Sequence, residues 1–278
     1  DELIAWLGDQ KALLSWKMDG LTIVLRYRNG ELYQAVTRGN GYIGELVTGT
    51  VRAFRNVPLR IPFKGELLLR GEALMRYSDF ERINAELPET EAKYKNPRNL
   101  CTGTVRQLDP AVTAARGVYF HAFSLVEAEG VDFNNSRAAQ FAWLRDQGFE
   151  VVEFETVTAD TLREAVARFE AKIPQNDFPS DGLVLLLDDI AYGDSLGRTA
   201  KFPRNAIAFK WQDEQAETVL REIEWSPSRT GLINPVAIFD PVDLEGTEVR
   251  RASVHNVSVL RSLKLGLGDH ILVYKANM

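Results

Sequence analysis

Leu13-Leu14-Ser15-Trp16-Lys17-Met18-Asp19-Gly20-Leu21-Thr22-Ile23-Val24-Leu25-Arg26-Tyr27-Arg28 is the stretch on which the reading of this chain turns. Leu13 to Trp16 is mostly apolar. Leu21, Ile23, Leu25 and Tyr27 then alternate with Thr22, Val24, Arg26 and Arg28, the period of a strand rather than a helix. Side chains two apart on a strand share a face, so Lys17 and Asp19 are expected side by side, with Gly20 where backbone can approach a ligand. A lysine amine attacks only after losing its proton, which desolvation or neighbouring positive charge favours. Lys-x-Asp-Gly alone recurs by chance, and its bland reading is a surface lysine and aspartate. The weight must come from the rest of the chain.

Composition admits one large domain or two: 278 residues, 45% hydrophobic and 26% charged. No apolar run has the length of a membrane span, and Asp1 to Leu7 lacks a signal-peptide pattern. A single cysteine, Cys101, excludes an internal disulfide framework, and with three scattered histidines no zinc-ligand spacing remains. These features suit a cytoplasmic monomer with no membrane partner. A net charge of −6 argues against an overall basic coat for nucleic acid, but a local basic face still binds phosphates. The chain starts close to its first strand and stops in strand-like alternation, so an excised piece of a longer protein is expected.

Outward from the opening stretch, Asn29-Gly30 signals a hairpin back through Leu32 to Val36, followed by the glycine loop Thr37-Arg38-Gly39-Asn40-Gly41. Gly65 to Met75 reads as a central strand, and Ser78 with Glu81 as a capping box for a helix over 79–86. Asn96 to Gln107 is polar and basic, with Arg98 and Arg106 about two helical turns apart. Further strands are expected over 118–125, 150–154, 181–187 and 206–211. Helices are expected over 136–147 and after Thr158. Beyond Asp213 the texture changes to short alternating strands over 218–225, 233–239, 248–254 and 270–274, which suits a small β-barrel. A boundary near Gln212 divides the chain into 1–212 and 213–278.

Lys17, Asp19, Arg38, Glu72, Arg98, Arg106, Asp181 and Lys210 all fall at strand ends or beside glycines, where sheet ends line a pocket. A nucleophilic lysine with further cations and carboxylates suits nucleotidyl transfer. In order and spacing, Lys17-Met-Asp19-Gly20, Thr37-Arg38-Gly39-Asn40-Gly41, Arg70-Gly71-Glu72, Asn96-Pro-Arg98-Asn99, Arg106-Gln107-Leu108, Asp181-Gly182 and Ala206-Ile-Ala-Phe-Lys210 resemble the nucleotidyltransferase domain of bacterial NAD-dependent DNA ligases. Ser228-Arg229-Thr230-Gly231, Asn234-Pro235-Val236 and Ala252-Ser-Val-His255-Asn256 resemble the oligonucleotide-binding barrel of the same family. The resemblance covers nearly the whole chain. It implies an α+β fold: an ATP-grasp-like nucleotidyltransferase domain of antiparallel sheets with flanking helices, then a partial OB-fold barrel.

By that resemblance Lys17 attacks the α-phosphate of NAD, expels nicotinamide mononucleotide and carries AMP as a phosphoramide. The AMP passes to the 5′-phosphate of a nick in double-stranded DNA, and a 3′-hydroxyl displaces it. The resemblance makes Lys17, Asp19, Arg38, Glu72 and Lys210 catalytic. It places Gly20, Arg38, Gly39, Glu72, Arg98, Arg106, Asp181 and Lys210 around the nucleotide and gives Glu72 and Asp181 to Mg2+. Arg98, Arg106, Arg229 and Thr230 would touch DNA. The family's precedent differs at three positions: Ser15 replaces a glutamate near the adenine, Asn40 an aspartate, and Leu186 a lysine near the reactive phosphate. Losing that cation would slow adenylation by on the order of 100-fold, with Lys201 or a metal ion placed to compensate. A divergent but active ligase is the expectation.

Blander readings stand beside these. Arg98 and Arg106 singly suit a solvated helix face, Glu72 a pair with Arg70, Leu186 a buried strand position, and Cys101, His121 and His255 packing roles. The competing functions are an ATP- or GTP-using covalent nucleotidyltransferase and a degenerate domain that binds nucleotide or nicked DNA without catalysis. The family's small domain for the nicotinamide mononucleotide half of NAD precedes the lysine by more residues than stand before Lys17. The chain alone is therefore expected to bind adenine nucleotides, to react poorly with NAD and to hold duplex weakly.

Overall fold

The computed structural model describes residues 2–39, 43–107, 109–199, 203–210, 215–228, 231–244 and 247–274. Asn40, Leu108, Lys201, Gln212, Arg229 and Thr230, all named above, lie outside the described residues. The chain divides into two compact units, Asp1–Trp211 and Gln212–Met278.

The first unit contains β1 (Ala12–Met18), β2 (Leu21–Arg28), β3 (Glu31–Thr37), β4 (Leu67–Leu74), β5 (Tyr119–Ala128), β6 (Phe154–Val157), β7 (Ser180–Leu187) and β8 (Ala206–Lys210). They form two antiparallel four-stranded sheets, ordered β6-β1-β7-β8 and β3-β2-β4-β5. The stretch read as one strand is two, and they belong to different sheets. β1 ends at Met18 and β2 begins at Leu21, so Asp19 leaves the strand that carries Lys17. Gly20 permits the crossing: a Cβ there would lie 2.1 Å from the Ala73 carbonyl oxygen on β4. That close backbone packing by itself requires a residue without a side chain.

β1 is buried on both faces from Ala12 to Trp16. Ala12, Leu14 and Trp16 of β1 turn to one side together, and Trp16 meets Phe169 edge-on with ring centroids 4.9 Å apart. Phe169 comes from the helix Leu162–Lys172, whose buried Leu162, Ala165 and Phe169 recur at helical spacing. The hairpin between β2 and β3 turns on Asn29 and Gly30, both at positive φ (50° and 76°), as the two-residue turn requires. β4 is central, between β2 and β5.

Three local expectations are corrected. The helix Tyr77–Glu86 begins without the capping box, because Ser78 donates its hydroxyl to Asp177 Oδ2 at 2.6 Å. The strand expected over 150–154 lies at β6, with only an isolated bridge from Val151 to Ala122. Thr158 does not cap the next helix, since Thr161 holds the N-cap position and donates its hydroxyl to the Thr158 carbonyl. By contrast Asn96 and Ser136 do cap the helices Pro97–Val105 and Arg137–Asp146, accepting from Asn99 N–H and Ala139 N–H.

The second unit is a four-stranded antiparallel sheet ordered β11-β10-β9-β12, from β9 (Gln215–Pro227), β10 (Ile233–Leu244), β11 (Thr247–Ser253) and β12 (His270–Tyr274). Its small core gathers Leu220, Ala237, Phe239, Leu244, Val254 and Val273.

Candidate active site

The site begins at the ends of three neighbouring strands. In register, Lys17 on β1 faces Gly182 on β7, and Gly182 faces Lys210 on β8. Residues directly opposite share a face, so two lysines flank one glycine. A Cβ at Gly182 would lie 2.1 Å from the Phe209 carbonyl oxygen and 2.7 Å from Lys210 Cα, so any side chain there would force β7 and β8 apart. The register between β1 and β7 then shifts. Met18 pairs with Ser180, and Asp181 is left as the extra residue of a β-bulge. The bulge turns Asp181 toward the lysines: Lys17 Nζ donates to Oδ1 and Oδ2 at 2.6 and 2.7 Å, and Lys210 Nζ lies 3.6 Å from Oδ2. Ser180 Oγ, donating to the carbonyls of Lys17 and Gly182 at 3.0 Å each, holds the irregular turn.

Asp19 takes a different partner from the one its spacing suggested. Its N–H donates to the Pro179 carbonyl at 2.9 Å, and its Oδ1 lies 3.0 Å from Arg98 Nη1. Arg98 stands in the first turn of the helix Pro97–Val105 and Arg106 just past its end, where Arg106 Nε pairs with Glu45 Oε2 at 2.7 Å. Both arginines are more than half exposed and paired with carboxylates, so a phosphate would exchange one anion for another at little cost.

Glu72 sits on β4 opposite Thr22 of β2 and is buried rather than paired with Arg70. Gly20 N–H donates to its Oε1 at 3.2 Å and the Thr22 hydroxyl to its Oε2 at 2.9 Å. Burial pushes the carboxyl up to about 7, against the opposing pull of those two hydrogen bonds. Thr22 and Glu45 are site partners that the sequence reading did not assign. Thr22 became recognisable only through the pairing of β2 with β4. Arg38 and Gly39 follow β3 directly. Arg38 is exposed, its N–H donating to the Thr22 carbonyl at 3.1 Å, and Gly39 has φ of 54°, with room for a Cβ denied by the Ile43 carbonyl at 1.8 Å.

Two of the departures, Ser15 and Leu186, occupy the Lys17 face of the same sheet. Ser15 faces Val184, and Leu186 faces Leu13 on one side and Ala206 on the other. Leu186 packs half-buried against the main core. Cys101 lies fully buried on the inner face of the same helix that carries Arg98, and burial pushes its thiol up, which agrees with a packing role.

Two antiparallel sheets with a lysine and a bulged aspartate at the strand ends, followed in the chain by a separate antiparallel β unit, have the architecture of a nucleotidyltransferase-type domain with an OB-fold domain after it. The chain belongs to the NAD-dependent DNA ligase family: the NAD-dependent DNA ligase adenylation domain matches residues 4–214 and the NAD-dependent DNA ligase OB-fold domain residues 217–278. It is 63% identical over 276 residues to a DNA ligase of Lachnoclostridium phytofermentans, covering 99% of this chain and 42% of that protein. It is 62% identical over 273 residues to a DNA ligase of Ruminiclostridium cellulolyticum, covering 98% of this chain and 42% of that protein. The chain thus spans about two fifths of the length of these curated relatives. A solved structure titled "Pmar-Lig_Pre." shares the fold, with a TM-score of 0.53 at 13% identity over 95% of this chain and 58% of that one.

Proposed function

We propose that the protein containing this chain seals nicks in double-stranded DNA with NAD as the AMP donor, and that Lys17 is the residue that carries AMP. The observation that supports this most directly is Lys17 held 2.6 Å from Asp181 with Lys210 on the same carboxylate. An ammonium so paired is not a nucleophile, and Asp181 is placed to accept its proton. Lys17 Nζ then attacks the α-phosphorus of NAD. The phosphoramide bond forms, the bond to the nicotinamide mononucleotide phosphate breaks, and that phosphate leaves with the electron pair. Lys210, released from Asp181, neutralises the charge that develops on the α-phosphate. The 5′-phosphate of the nick takes AMP from Lys17, and attack by the 3′-hydroxyl closes the phosphodiester and expels AMP.

In this reading Gly20, Arg38, Gly39, Arg98 and Arg106 border the nucleotide, Asp19 and Glu72 hold the geometry behind it, and Arg98, Arg106, Arg229 and Thr230 meet the DNA. Mg2+ is part of the proposal. Among the described residues no three His, Cys, Asp or Glu side chains cluster, and the oxygens of Glu72 and of Asp181 are all engaged, so either carboxylate would exchange a present partner for the ion, with phosphate and water as the other ligands. Such an ion supplies charge neutralisation at the phosphate. No described helix is long and apolar enough to cross a membrane, and the one cysteine is buried; a cytoplasmic monomer serving replication and repair fits these features.

The test is intact mass of the protein after incubation with NAD and magnesium, and separately with ATP. An AMP adduct with NAD that disappears in Lys17→Ala is the expected result. An adduct formed only with ATP would replace the donor, and none with either would leave a binding domain, as Leu186 in place of a lysine would favour.

A further inference from the structure

Arg76 follows β4, immediately before the helix Tyr77–Glu86. Its guanidinium carbon lies 4.1 Å from the Tyr119 ring centroid and 5.2 Å from that of Phe178, and those rings meet edge-on at 5.6 Å. Two aromatic neighbours restrict a long side chain that would otherwise be free, so its planar fork is preorganised. Lys17, Lys210, Arg98 and Arg106 each face a carboxylate, whereas among the described residues none pairs with Arg76.

Arg76 lines a cavity of about 380 Å³ that also borders Trp16, Glu153 and Asp177. Both acids there already accept two hydrogen bonds each. Glu153 accepts from Lys172 Nζ at 2.5 Å and from Trp16 Nε1 at 2.9 Å, and Asp177 accepts from Ser78 N–H and hydroxyl at 3.0 and 2.6 Å. Asn176, also on the wall, accepts from Phe178 N–H through its Oδ1, which leaves its NH2 facing no partner among the described residues. The donors the cavity offers a ligand include the Arg76 fork and the Asn176 amide, beside Lys172, which is paired with Glu153, and Gln175, whose amide both donates and accepts. A ligand with acceptors only, of which phosphate is the strongest, matches them.

The cavity is tied to the reactive loop. Tyr77 N–H donates to the Asp177 carbonyl at 2.8 Å, and two residues on Pro179 takes the Asp19 N–H. Trp16 and Lys17 alternate along β1, so the cavity opens on the side of that strand away from the Lys17 ammonium. A phosphate held there is not the one Lys17 attacks. It belongs to a ligand that carries phosphates at more than one place. We infer that Arg76 and Asn176 hold a backbone phosphate of the nicked duplex and so position the strand beside Asp19. This rests on the ligase reading above.

The experiment measures binding of the intact protein to a nicked duplex with a blocked 3′ end, by fluorescence anisotropy across a salt series. Arg76→Gln should weaken binding about tenfold, the loss of one charged hydrogen-bonding partner, and should reduce the slope of log affinity against log salt by about one. Arg76→Lys should recover the slope but only part of the affinity, since the planar fork is lost. Asn176→Asp keeps the acceptor for Phe178 N–H and should weaken binding with unfolding behaviour preserved, which separates recognition from folding. Unchanged affinity and slope in Arg76→Gln overturn the inference. So does a loss confined to Lys17 adenylation, which would assign the phosphate to the dinucleotide. Wild-type protein that binds no nicked duplex overturns the ligase reading as well, whereas wild-type binding that the variants share overturns only the role of Arg76.

Discussion

Glu72 shows how one buried carboxyl links the site to stability. Its folded value of about 7 stands above the ordinary 4.5, so between those limits the folded protein holds a proton that the unfolded chain has released. Stability from this group is complete below about pH 4.5 and is lost as pH rises through 7, a change on the order of 3 kcal/mol. Urea unfolding at pH 5 and pH 8 should show wild type less stable at the higher pH. Glu72→Gln, which mimics the neutral carboxyl, should narrow that difference, and an equal difference in the variant would rule Glu72 out as its source. Lys17, Asp181 and Lys210 were all recognisable as single residues in the sequence. Their shared ion pair was not, because it depends on one unpaired residue in the β1–β7 ladder. Leu186 was legible both as a strand residue and as a departure from its family, and the structure places it among Leu13 and Ala206, an apolar strip where hydrophobic character is what packing favours.

Secondary-structure elements were read best where the signal is local. The Asn29-Gly30 hairpin, the helix from Ser136 and the apolar strand at β7 depend on a few adjacent residues, and the structure has them. The capping box failed because Asp177, about a hundred positions away, competes for Ser78. The continuous first strand failed because alternation continues across a crossing between sheets, and only contact with Ala73 explains the glycine. Gly182 is the sharper test of such spacing. Gly182→Ala would place its Cβ 2.1 Å from the Phe209 carbonyl, so the strands must separate and Lys210 must move from Asp181. A loss of about 3 kcal/mol or more in chemical unfolding is expected. Slower formation of the Lys17 adduct should accompany it, and unchanged stability would refute the packing argument.

The whole chain contains two cores of unequal size, a large one spanning β1 to β7 with their helices and a small one of six buried residues in 212–278. Calorimetry of the chain should therefore resolve two transitions, the lower belonging to 212–278. Phe239→Ala should lower that transition alone, by about 3–5 kcal/mol. A shift of both transitions together would mean that the units unfold as one. Residue type, order and spacing along the chain were enough to establish the family and the change of texture beyond Asp213, and to single out Lys17 as the proposed AMP carrier, because motif order and strand period are properties of the covalent chain. Tertiary structure alone decided that Asp19 pairs with Arg98 and Asp181 with Lys17, that Glu72 is buried, and that Arg76 lies against the rings of Tyr119 and Phe178. Those outcomes depend on which strands become neighbours and where one residue bulges, and such pairings join positions that no local pattern connects.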